Sequence, residues 1–172
     1  MTEKAYKADE WLNKTVILYD DAEAIHRRIE VIEGKVNSAV SNYEHGARLD
    51  PIQAQARREN LLLEYSQRQS EFETKYFKYV RQEIITMFLL NKMQNRKFAL
   101  ILYKRYINRE TVEAIAKQKL FGYGRTQLYK FYGQALEEFA SILQTEEPRA
   151  IQEAEKSIEK HRAKLYQRQV TA

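Results

Sequence analysis

Turn-forming residues are scarce in this chain: it holds five glycines and two prolines in 172 residues. Average usage would supply roughly 7% glycine and 5% proline, so there are few places where the backbone can reverse. Ala, Glu, Lys, Gln, Arg and Leu fill the intervals, with no run of alternating β-branched residues. Long helices follow, and the expected fold class is all-α. The absence of cysteine removes disulfides and thiolate metal sites and suits a reducing cytosol. The N-terminus, Met-Thr-Glu-Lys-Ala-Tyr-Lys, carries no apolar signal segment, and the apolar run Phe98 to Tyr103 is too short to span a bilayer. A cytoplasmic protein without a membrane partner is expected.

Residues 1–94 read as a long antiparallel helical hairpin for interaction or oligomerisation. Trp11, Thr15, Leu18, Ala22, Ile25, Ile29, Ile32, Val36, Ala39 and Tyr43 recur in steps of four and three, which keeps one helix face against a partner. His45 to Pro51 then breaks the pattern, with Gly46 suited to a helix end, Asp50 to an N-cap and Pro51 to a first helical position. A second helix is expected from Pro51 to about Met93. Its apolar stripe from Tyr76 to Leu90 is wide enough to meet the C-terminal half or a second subunit. Asn91 to Arg96 is polar and basic, either a hinge or a straight continuation.

Residues 95–147 divide into three shorter helical pieces. The first, about Lys97 to Ile107, turns Phe98, Ile101, Leu102 and Tyr106 inward. Thr111 is placed to cap a helix from Val112 to about Lys119. Phe121-Gly122-Tyr123-Gly124 forms a turn in which glycine supplies the backbone angles. The third piece, Arg125 to about Gln144, buries Leu128, Tyr132, Ala135, Phe139 and Ile142. Gly133 interrupts it and is explicable only by close backbone packing. Pro148 is expected to end this run. Residues 148–172 then form a separate charged helix with Ile151, Ile158 and Leu165 spaced by seven, lying on a partner, in a short coiled coil or frayed.

Charge locates the function. Between Lys92 and Gln134 stand ten Lys or Arg and two Glu, a local net of +8 in a chain of net +5, which leaves −3 for the rest. A basic block in an otherwise slightly acidic chain points to a localised polyanion-binding surface. Arg125, Thr126, Gln127 and Lys130 project outward from the helix that begins at Arg125 and suit base edges in a major groove. Lys104, Arg105, Arg109, Lys117, Lys119 and Tyr129 are the candidates for phosphate contacts. The tyrosines among these cations fit core filling with hydroxyls reaching phosphate better than stacking on single-stranded bases. His26, His45 and His161 stand apart from any ligand partner, Gly122-Tyr123-Gly124 lacks the context of a nucleotide loop, and the carboxylates line charged helix faces. No metal, cofactor or catalytic activity is expected.

The residues Leu102-Tyr103-Lys104-Arg105-Tyr106-Ile107, Thr111-Val112-Glu113-Ala114-Ile115-Ala116, Gly122-Tyr123-Gly124-Arg125-Thr126-Gln127-Leu128-Tyr129 and Ala135-Leu136 resemble the DNA-binding domain of region four of bacterial sigma factors. More closely, they resemble the ArpU and RinA type phage transcriptional regulators, over about fifty residues. The resemblance implies a sigma-like helix-turn-helix domain behind an N-terminal helical region. It also implies sequence-specific binding to phage or prophage late-gene promoters, with double-stranded DNA, a homodimer or higher homo-oligomer and host RNA polymerase as partners. Two features depart from the family. Lys117 to Phe121 places five residues where members have three, and Gly124 stands where a capping Ser is usual. Two other functions share this outline: a phage DNA-packaging protein of the small-terminase kind, and a helical adaptor that binds only protein.

Overall fold

The computed structural model describes the backbone of residues 1–44, 51–118, 122 and 124–170, without the side chains of 39–44, 51, 54 and 161–170. The described residues are all helical or in short connections, with no strand among them. The elements are α1 (Glu3–Glu44), α2 (Pro51–Lys92), α3 (Arg96–Leu102), a π-helical turn (Tyr103–Ile107), α4 (Val112–Lys117) and α5 (Arg125–Val170). The expected Asp50 cap, the features of His45 to Asp50 and the seam positions Ala39 and Tyr43 lie outside the described residues and side chains.

Two compact units emerge, one of residues 18–78 and the other of residues 1–17 with 79–172. They cut across the boundaries drawn from sequence after residues 94 and 147. In the unit of residues 18–78, the later part of α1 packs antiparallel to the earlier part of α2. Asp21 pairs with Lys75 at 2.9 Å, the His26 and Phe72 rings are 5.3 Å apart, and Tyr65 donates to Glu33 at 2.8 Å. Ala22, Ile25, Ile29 and Ile32 are buried along this seam, as their spacing requires. On α2 the half-buried residues Leu61, Tyr65, Arg68, Phe72 and Lys75 repeat the same steps of four and three.

The other unit holds the larger core. Ala5, Ala8 and Leu12 of α1 meet Ile85, Leu89 and Leu90 of α2 and Leu136, Phe139 and Ala140 of α5. The apolar stripe of α2 beyond Tyr76 is thus covered by this chain's own C-terminal half. Thr15 and Thr86 form a buried hydroxyl pair at 3.1 Å. Thr86 also donates to the Gln82 carbonyl at 2.9 Å, so the shared proton between the threonines comes from Thr15.

Within Asn91 to Arg96, Asn91 and Lys92 finish α2, residues 93–95 make a tight turn and Arg96 opens α3. Asn95 caps α3 by accepting from Lys97 N and Phe98 N, while Glu138 Oε1 on α5 accepts from Gln94 N at 2.7 Å and Asn95 N at 3.2 Å. Pro148 does not end the following helix, contrary to the sequence expectation: α5 runs through it to Val170. Proline removes one backbone bond and strains the preceding turn. Burial beyond it opposes that cost: Ala150 and Ala154 are fully buried and Ile151 packs on the same core. Trp11 Nε1 donates to Glu147 at 2.9 Å and stacks obliquely on Phe139, and Arg81 pairs with Glu155 at 2.9 Å. The beginning of the expected tail helix therefore lies on its own core.

Close backbone packing does not explain Gly133, since a Cβ built there meets nothing within 4 Å. Gly133→Ala should stabilise the protein by roughly 0.5–1 kcal/mol, because glycine in a helix interior loses more backbone entropy on folding. A thermal melt should show a rise of about 1–4 °C.

Candidate nucleic-acid interface

The basic block folds around a second, smaller core of Ile101, Val112, Ile115 and Leu128, with Phe98 and Phe131 packed against it at 5.9 Å between rings. These are inward positions of α3, α4 and α5. The chain leaves α3 through the π-helical turn, closed by Asn108 N donating to Tyr103 O. Such turns accommodate an extra residue and shift the side chains that follow. Here Tyr106 is buried and Lys104 and Arg105 are half-buried.

Tyr106 joins a polar network that ties α1 to this region. Its hydroxyl donates to Asp9 Oδ1, Tyr132 of α5 donates to the same oxygen at 2.6 Å, and the two tyrosine oxygens lie 2.5 Å apart. Asn13 donates to the other carboxylate oxygen at 3.2 Å. Burial, reinforced by Asp9, pushes the Tyr132 hydroxyl up to about 12. Burial raises Tyr106 further in the same direction, with Tyr132 and Asp9 adding to it.

The connection from the π-helical turn to α4 is held by Glu110. Its carboxylate accepts from Lys104 at 3.3 Å, from Asn108 at 3.4 Å and from Gln118. Burial alone would raise this carboxyl, but the donors from Asn108, Lys104 and Gln118 outweigh it and lower it. Arg109 adopts φ 58°, a left-handed conformation that costs a residue with a Cβ about 1–2 kcal/mol. Its guanidinium lies against the Tyr79 hydroxyl, which burial, first of all, pushes up to about 12. Thr111 caps α4 as its position in the sequence requires, accepting from Ala114 N at 3.1 Å.

Gly122 takes φ 64°, as the expected turn requires, and Gly124 O accepts the first bonds of α5 from Gln127 N and Leu128 N. Glycine offers no side chain to cap those turns. Lys119, Phe121 and Tyr123 lie outside the described residues. Arg125, Thr126, Gln127, Tyr129 and Lys130 are all exposed on the first two turns of α5, while Leu128 between them is buried. The four expected base readers therefore share one stretch of helix surface. Lys117 is exposed at the end of α4.

The remaining expected phosphate contacts are not equivalent. The Lys104 side chain is 15% exposed with its ammonium on Glu110, and Arg105 lies 5.5 Å over the Tyr106 ring. Glu113 was visible in the sequence only as a charge. It accepts from Arg125 at 3.1 Å and from the Tyr129 hydroxyl through the same oxygen, and Tyr129 first of all lowers its carboxyl. Both acidic residues of the basic block thus engage candidate DNA-contacting cations.

Among the described residues, no three His, Cys, Asp or Glu side chains gather where they could hold a metal ion, and no helix is long and apolar enough to cross a membrane. Comparison with protein-family models, curated proteins and solved structures gives no match for this chain. The likeness to the phage regulators is carried by the quoted residues alone.

Proposed function

We propose that this chain is a sequence-specific DNA-binding transcriptional regulator of phage or prophage origin that acts on late-gene promoters. In this reading α3, α4 and the start of α5 form a sigma region-four-like helix-turn-helix, and α5 enters the major groove. The observation that carries it is the exposed set Arg125, Thr126, Gln127 and Lys130 on a helix anchored from behind by buried Leu128. An α-helix fits the width of that groove, Arg pairs with guanine acceptors, Gln with adenine, and Lys or Thr with phosphates and base edges. Exposed Lys117 is the first of the phosphate candidates, Tyr129, Arg109, Arg105 and Lys119 are the others, and the ion-paired Lys104 is the least available. The hairpin of residues 18–78 leaves Val31, Leu62, Leu63 and Tyr76 exposed, which supports its assignment to self-association or contact with RNA polymerase.

Salt dependence tests the reading. Affinity for duplex DNA should fall linearly with salt on logarithmic axes, by a slope of about −0.9 for each phosphate contacted. Absence of binding to any duplex at low salt would instead support a protein-binding adaptor.

A further inference from the structure

Arg125 differs from Thr126, Gln127 and Lys130 in being held by another element. Its Nη2 lies 3.1 Å from Glu113 Oε1 on α4, and the Tyr129 hydroxyl donates to that same oxygen. The guanidinium carbon also sits 5.8 Å from the Tyr129 ring centroid. Tyr129 stands one helical turn beyond Arg125, so a carboxylate and an aromatic ring bracket the guanidinium together. We propose that Glu113 is a positioning residue that determines specificity at the DNA interface: it fixes the direction of Arg125 and screens its charge, so that Arg125 reads a guanine edge and does not settle on a phosphate. The inference rests on α5 being the recognition helix.

The chemistry favours this division of labour. A guanidinium carries five N–H donors, and engaging one with Glu113 leaves others for the paired O6 and N7 acceptors of guanine. A phosphate is sought chiefly by charge, which an adjacent carboxylate both cancels and repels. Guanine acceptors are neutral and are recognised by the direction of the fork, which an anchored guanidinium presents already set. Glu113 is held in turn by the Tyr129 hydroxyl, which first of all lowers its carboxyl.

The experiment compares the full-length wild type with Glu113→Gln, which keeps the size and an accepting oxygen but removes the charge. Each protein is used to select sequences from random duplex DNA and is titrated with salt on an unselected duplex. For Glu113→Gln, binding to unselected duplex should strengthen, and its salt slope should steepen by about 0.9 as Arg125 takes up a phosphate. The preference for selected over unselected DNA should fall at least about fivefold, with the loss confined to one guanine position. Helicity by circular dichroism should be unchanged; if it is not, Tyr129→Phe, which removes the second group on the same oxygen, should move the same base position. Wild-type slope and preferences in the variant would overturn the proposal, as would a loss spread evenly over all positions. A wild-type motif without guanine overturns this inference alone. A wild type that selects no motif overturns the recognition-helix reading first, and this inference with it.

Discussion

Asp9→Ala is expected to destabilise the unit of residues 1–17 and 79–172 by roughly 1–3 kcal/mol, because it removes the carboxylate oxygen to which both tyrosine hydroxyls donate and leaves them only each other, so that one loses its acceptor. Urea unfolding followed by circular dichroism should show a lowered midpoint, and Asp9→Asn, which keeps an acceptor, should lose less. A midpoint unchanged in Asp9→Ala would show that the network contributes nothing. The same tyrosines set an alkaline limit. Tyr132 titrates near 10.0 when unfolded and at about 12 when folded, so its contribution is complete below pH 10.0 and is lost as pH rises through about 12. The still higher Tyr106 acts in the same direction. Because the network joins α1 to the π-helical turn and to α5, its loss should also loosen the seat of the proposed recognition helix.

The double substitution Arg125→Ala and Lys130→Ala should abolish selective DNA binding, a loss of roughly hundredfold or more for two base-reading side chains. Both side chains are exposed, so helicity and melting temperature should remain those of the wild type. Electrophoretic mobility shift against a selected site, beside circular dichroism of the same sample, separates the two effects. Retained selective binding would remove α5 from the interface. Lys104→Ala is a useful contrast: the ammonium already on Glu110 has little to offer a phosphate.

Local patterns carried much of the fold. Steps of four and three placed Ile25, Ile29 and Ile32 in the hairpin seam and Leu128, Ala135 and Phe139 under α5, because helical periodicity is a property of neighbouring residues. Thr111 and Gly122 were legible for the same reason, since a cap and a left-handed turn each depend on a few consecutive positions. What escaped were contacts between distant residues. Asp9 meets Tyr106 and Tyr132 across 97 and 123 positions, and nothing near Asp9 in the chain marks it as their acceptor. Pro148 was misread because its local backbone cost is visible in sequence, whereas the burial of Ala150 and Ala154 and the Trp11–Glu147 bond that oppose it are tertiary. The π-helical turn depends on a similar tertiary demand, the burial of Tyr106. At the candidate site, the outward set on α5 followed from periodicity, but the Glu113 anchor joins two helices across a turn whose geometry spacing alone does not reveal.

Selection of bound sequences from random duplex DNA by the wild-type chain, at near-physiological salt, decides whether the helix that begins at Arg125 reads sequence. An enriched motif is expected whose preferred bases include guanine and adenine, the partners of Arg125 and Gln127, with half-sites about one helical turn apart if the protein binds as a dimer. Recovery of bound DNA without any enriched sequence, or no recovery at all, would contradict sequence-specific binding by this chain.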